Sequence, residues 1–176
     1  MKKLSLVAIL LLIATGVFAQ EKWIPVTYNV SFKIKNAGIT VSGKFQGFRG
    51  TLLFSPDKLS ASSLTATVDV ATLTTGIGKR DEDLKEEKYF DADKYKQIEI
   101  KSVKLYQKGA QYAGMFKVTI KGVTKEMEIP FEFDQLGTEA DFKGSLVIKR
   151  SDFGIGGKTL TMSDEASVSI AIKAKK

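Results

Sequence analysis

Apolar and polar residues alternate with period two along most of the chain after residue 30, the pattern of strands with one face buried. Phe32 and Ile34 alternate with Lys33 and Lys35. Leu64, Ala66, Val68 and Val70 alternate with Thr65, Thr67, Asp69 and Ala71, and Phe116, Val118 and Ile120 with Lys117, Thr119 and Lys121. The same rhythm runs through Met127, Ile129, Phe131 and Phe133, through Phe142, Leu146 and Ile148, and through Ala166, Val168, Ile170 and Ile172.

With further strands near 43–54 and 97–105, the pattern predicts about eight strands. Short turn signals such as Lys121-Gly122-Val123-Thr124 and Leu136-Gly137-Thr138 separate most of them. Short links make neighbours antiparallel. Long strands that are apolar on one side and charged on the other satisfy their edges best by closing, so the expected fold is all-β, an eight-stranded antiparallel up-and-down barrel. A two-sheet sandwich is the alternative. In "GKFQGFRGTLLF" (43–54) the apolar parity slips between Phe45 and Phe48. A bulge near Gly47 accounts for this, and a close backbone approach to a ligand is the competing reading.

Two segments break the rhythm. "KRDEDLKEEKYFDADKY" (79–95) packs twelve charged side chains, seven of them carboxylates, into seventeen positions. The spacing predicts a short helix: Asp81 and Lys85 stand at i, i+4, Ile77 and Leu84 share an inner face, and Tyr89 and Phe90 anchor its end on the barrel. "RSDFGIGGKTLTMSDE" (150–165) predicts a glycine-rich connection with Asp152 and Ser163 as turn or helix starters.

Composition adds a compartment. Residues 1–19, MKKLSLVAILLLIATGVFA, have two lysines, an apolar run from Leu4 to Ile13 and small residues before position 20, the layout of a secretory signal peptide cleaved after Ala19. The apolar run is short for a bilayer of about 30 Å, so stable membrane insertion is not expected. Removal of the leader leaves residues 20–176 as one domain with no linker or repeat. The net charge of +7 falls to +5, with twenty-five basic against twenty acidic side chains. The lysines are scattered singly, so nucleic acid is not an expected partner. The absence of cysteine excludes a disulfide framework and a thiolate nucleophile.

There is no histidine. That removes Ser-His-Asp and Cys-His catalysis and imidazole metal sites. Asp81, Glu82, Asp83, Glu86 and Glu87 are the dense supply for a glycosidase-like carboxylate pair. Their interleaving with lysines favours a solvated helix face. "DEDLKEEKYFDAD" lacks the central glycine of a calcium loop, and "DFGIGGKT" lacks the first glycine of a phosphate loop. No metal or cofactor is expected. Asn29-Val30-Ser31 fits the glycosylation tripeptide but falls within a strand.

The barrel's interior remains. Inward parity gathers Phe32, Ile34, Phe48, Leu52, Phe54, Val68, Ile98, Ile100, Phe116, Phe131, Phe142 and Ile148, with Phe45 and Val118 on the same strands and Leu84 and Phe90 from the helical segment. An eight-stranded barrel is filled by its own side chains or holds one slender ligand. These residue types suit either outcome, and any ligand they hold is lipidic.

Several separated stretches resemble the YceI-like lipid/polyisoprenoid-binding family: "VSFKIKNAGITVSGKFQGFRGTLLF" (30–54), "ASSLTATVDVATLTTGIGKRDEDLK" (61–85), "EKYFDADKYKQIEIKS" (87–102), "GMFKVTIKGVTKEMEIPFEF" (114–133), "RSDFGI" (150–155) and "SDEASVSIAI" (163–172). Their order and spacing carry the likeness. It implies a lipocalin-like barrel with one or two short helices beside it. It also implies a long apolar cavity for an isoprenoid chain such as a polyprenyl or quinone tail, and an exported, usually periplasmic, non-enzymatic protein. It leaves oligomeric state open, a dimer included. Arg80, Asp81, Leu84, Lys85, Phe90 and Asp91 match the family's helical motif. Asp83 stands where members commonly carry histidine, and "IPVTYNV" replaces a region with another. The alternative function is a surface-acting interaction or stress-response module with a filled barrel.

Overall fold

The computed structural model describes residues 20–176, so the predicted leader over 1–19 lies outside the described residues. Eight strands run in chain order around a closed antiparallel barrel. They are β1 (Lys22–Asn36), β2 (Ile39–Leu53), β3 (Ser63–Thr74), β4 (Gln97–Lys108), β5 (Gln111–Ile120), β6 (Val123–Leu136), β7 (Glu139–Lys149) and β8 (Met162–Lys175). Closure comes from β1 pairing with β8, Ile34 opposite Ala166 and Ile24 opposite Lys175. No sandwich forms. One helix, α1 (Gly78–Lys85), and two 3₁₀ turns, Pro56–Ala61 and Arg150–Phe153, complete the elements of the described residues.

Turn chemistry sets the register. Four hairpins have two-residue loops, at 37–38, 109–110, 121–122 and 137–138. Lys121 (φ 49°) and Gly122 (φ 76°) are both left-handed, as are Ala37 (φ 50°) and Gly38 (φ 78°), the primed geometry whose twist matches the flanking strands. Gly47 is also left-handed (φ 68°), and the β2–β3 register shifts on both sides of Gln46. The bulge expected there is present and moves Phe45 and Phe48 to the same side of the wall. The close approach at Gly47 is made by the Asp69 side chain, whose Oδ2 would lie 2.4 Å from an added Cβ.

The connections divide the barrel into two unlike ends. Hairpins 109–110 and 137–138 and the Pro56–Ala61 turn lie at one, the closed end. Turns 37–38 and 121–122, α1 and the 150–161 connection lie at the other, the mouth. The main core runs from Trp23 and Phe54 at the closed end to Phe153 and Ile155 near the mouth. A smaller cluster of Val30, Phe45, Val68 and Leu73 supports α1 through Leu84.

Candidate functional site

A cavity of about 210 Å³ occupies the barrel, walled by inward side chains from all eight strands and by residues of the two mouth segments. Its wall is almost wholly aliphatic and aromatic. A space this far above the roughly 10–15 Å³ that one water occupies, yet lacking the two to four polar partners a water needs, favours an apolar occupant.

Of the inward residues read from the sequence, Phe32, Ile34, Phe45, Phe48 and Leu52 line the cavity from β1 and β2. Val68, Ile98 and Ile100 line it from β3 and β4, and Phe116, Val118, Phe131, Phe142 and Ile148 from β5, β6 and β7. Leu84 and Phe90 close over it from the helical segment. Phe54 does not line it. Although its parity is inward, Phe54 follows the last residue of β2 and is fully buried in an aromatic plug at the closed end. Its ring centroid lies 4.7 Å from Phe133, 5.2 Å from Tyr112 and 5.5 Å from Phe131. Trp23 packs edge-on to Phe133 at 5.4 Å and donates its indole N–H to the Phe54 carbonyl. Parity says which face a residue takes and nothing about its height along the barrel.

The mouth is crossed by two segments bound to each other. Gly156 N–H donates to the Lys88 carbonyl at 2.8 Å, and Lys121 Nζ donates to the carbonyls of Glu87 (2.6 Å) and Gly154 (3.1 Å). Ala37 N–H donates to the Thr161 carbonyl at 2.7 Å. Beneath these ties lie Tyr89, Phe90, Ile155 and Met162, all facing the cavity. Phe90 meets Phe45 edge-to-face at 5.7 Å.

The helix is built differently from its sequence reading. Asp81 does not pair with Lys85. Its carboxylate accepts from the hydroxyls of Thr74 and Thr75 and from the Thr75 N–H, tying the first turn of α1 back to the end of β3. The Thr75 hydroxyl contributes most to holding that carboxyl below the ordinary aspartate range, followed by Thr74, the Thr75 N–H and the nearby Arg80 charge. The i, i+4 pair on the helix is Lys79 with Asp83 at 2.9 Å. Ile77 does not share the inner face with Leu84. It precedes the helix in extended backbone (φ −125°, ψ 105°), so helical periodicity does not reach it, and its side chain is exposed. Glu82, Glu86 and Glu87 are exposed, and among the described residues no three potential ligands converge on a metal position.

Arg150 is the side chain that sequence reasoning passed over. It is buried, lines the cavity near the mouth and donates to four backbone carbonyls: Ser163, Ile155, Gly157 and Met162. One guanidinium fork thereby organises the connection from β7 to β8, whose Gly154, Gly156 and Gly157 are all left-handed. At Gly157 the backbone offers a carbonyl to Arg150, so this stretch works as a tightly folded connection. Asp152 and Ser163 make no cap on the 3₁₀ turn; instead Asp164 accepts from the N–H and hydroxyl of Ser151. Arg150 lies within the quoted "RSDFGI" stretch, but a buried arginine has no pattern of its own in a sequence.

Comparison with known proteins agrees with this barrel. The family described as YceI-like domain matches residues 23–174. A UPF0312 protein of Vibrio cholerae is 30% identical over 135 residues, covering 72% of this chain and 71% of that one. The crystal structure of BcnA from Burkholderia cenocepacia superposes with a TM-score of 0.81 at 29% identity, covering 84% of this chain and 96% of BcnA. A polyisoprenoid-binding domain from Saccharophagus degradans superposes with a TM-score of 0.70 at 14% identity, covering 88% and 97%, a likeness of fold.

Proposed function

The chain belongs to the YceI-like family, and from that premise we propose that it binds one long apolar ligand inside the barrel and carries or sequesters it without chemical change. The ligand class that fits best is an isoprenoid, such as a polyprenyl or quinone tail. The observation that carries this reading is the continuous apolar cavity walled by all eight strands. The barrel shared with a domain named for polyisoprenoid binding supports the choice of isoprenoid. A non-enzymatic role is supported by a sequence without histidine or cysteine and by acids engaged with threonines, lysines or solvent.

Magnitudes fit a carrier without a strong head-group site. A chain segment of about ten carbons, roughly what a cavity of about 210 Å³ holds, gains about 8 kcal/mol on burial, near micromolar affinity. Burial of methylenes at about 0.8 kcal/mol each dominates that sum. Affinity therefore survives the replacement of the family's histidine by Asp83, and selectivity for the head group is what changes. The leader-like residues 1–19 support export, with the periplasm as the proposed compartment.

The test is mass spectrometry of an organic extract from protein purified without detergent, joined to titration with quinones and polyprenols. Co-purified isoprenoid or saturable binding is expected. No extracted lipid and no binding would replace the carrier with a surface-acting module.

A further inference from the structure

Between Trp23 opposite Leu52 and Val30 opposite Phe45 the β1–β2 ladder is interrupted, and residues 24–29 and 46–51 do not pair with each other. Both strands keep their other neighbours over this stretch. Ile24, Pro25, Thr27, Tyr28 and Asn29 pair with Lys175, Ala174, Lys173, Ile172 and Ala171 on β8, with Val26 at the register shift, while Gln46 and Arg49 pair with Asp69 and Thr67 on β3. The interruption is a slit in the wall and not a frayed edge. Both sides carry an irregularity here, β1 a register shift against β8 between Pro25 and Thr27 and β2 the bulge at Gly47.

Two aromatic rings fill the slit. Tyr28 stands opposite Ile172 in the row that continues through Val30 and Ile170, so its parity is inward, yet it is 40% exposed. Its ring stacks on Phe48, with centroids 5.1 Å apart and planes 27° from parallel. Phe48 lines the cavity and lies along Gly50, where an added Cβ would come 2.8 Å from its ring. From solvent inward the order is Tyr28, Phe48, cavity. Ile24 and Val26, on the β1 side, are 57% and 55% exposed and make the outer approach apolar.

We infer that this slit is a lateral portal through which an apolar chain enters and leaves the cavity, with the Tyr28–Phe48 pair as its shutter. The inference rests on the reading of the cavity as a lipid site. Passage through the closed end must break the plug around Phe54, and passage through the mouth must break the hydrogen bonds of Gly156, Lys121 and Ala37. At the slit one stacked pair has to part, and no β1–β2 backbone hydrogen bond is lost. A polyene chain in transit also passes over Ile24 and Val26 instead of over water alone.

Stopped-flow fluorescence with the polyene parinaric acid tests the portal on the full protein, comparing wild type with Tyr28→Ala and Tyr28→Trp. Tyr28 does not line the cavity. A shutter role therefore predicts that Tyr28→Ala raises entry and exit rates together, by about three- to tenfold, the factor expected for one aromatic pair, with affinity unchanged. The larger Tyr28→Trp ring slows both. Unchanged rates in both variants, or a change in exit alone with a matching loss of affinity, overturn the portal while leaving the lipid site intact. Absence of binding by the wild-type protein overturns both readings.

Discussion

The indole N–H of Trp23 on β1 donates to the carbonyl of Phe54, just beyond β2, across 2.9 Å of buried space. This bond, together with the Phe54 N–H donated to the Glu21 carbonyl at 3.0 Å, fastens the two strands on the closed-end side of the slit, where their ladder pairs Lys22 with Leu53 and Trp23 with Leu52. The plug around it separates stability from binding. Phe54→Ala deletes a fully buried ring outside the cavity wall, and a cost of about 3–5 kcal/mol in denaturant unfolding is expected. Ligand affinity under folded conditions is expected to stay within about twofold, a difference below 0.5 kcal/mol.

The mouth segment gives the opposite division. Leu84 faces the cavity and packs on the Val30, Phe45, Val68 and Leu73 cluster, whereas Glu86 is exposed. Leu84→Asp places a carboxylate against that apolar wall and is expected to weaken retention of a bound polyprenol at least about tenfold. Glu86→Ala is expected to leave it unchanged. Equal retention by the two variants in an equilibrium binding assay would remove the covering role assigned to this segment.

Arg150 is expected to resist conservative replacement. Lysine offers three donors from one point and cannot serve four carbonyls spread from Ile155 to Ser163. Arg150→Lys should cost about 1–3 kcal/mol through buried carbonyls left without partners. Amide exchange should accelerate over 154–163 well before it does in β5 or β6. Uniform acceleration over the whole barrel would show that Arg150 does not act on this connection in particular.

The Asp81 tie carries a pH signature. A carboxyl whose folded-state pKa lies below its unfolded value stabilises the fold fully above the ordinary value of about 3.9. That contribution is lost as pH falls through the lowered folded value. Asp81→Asn should therefore be less stable than wild type by a constant margin from about pH 5 to 8. The two unfolding midpoints should converge as pH drops below about 4. A margin that persists undiminished in acid would show that the carboxylate charge is not what holds α1 to Thr74 and Thr75.

Legibility in the sequence followed a physical division. Strands half buried along their length betray themselves by alternation, so all eight were readable, as were the turns whose glycines permit left-handed φ. What depends on the third dimension was not. Phe54 and Phe116 have the same inward parity, yet one belongs to the plug and the other to the cavity wall, because parity is blind to depth. Spacing pairs Asp81 with Lys85, while its partners lie upstream at Thr74 and Thr75 and are reached only because the chain reverses at Gly76 (φ 80°). Tyr28 continues the inward parity of Val30, Phe32 and Ile34, but the break in the β1–β2 ladder that leaves it exposed has no mark in the sequence.

The seam between β1 and β8 has a kinetic consequence. Neighbouring strands from β4 to β7 are joined by two-residue turns and meet early, at low loop-closure cost. The seam instead brings Ile24 beside Lys175, near opposite ends of the described chain. A chain emerging from its N-terminus can form a curled meander long before β8 exists, but it encloses nothing. The container is made in a single late event, and a nascent or truncated chain lacking its last strand presents the same apolar wall as an open, adhesive sheet.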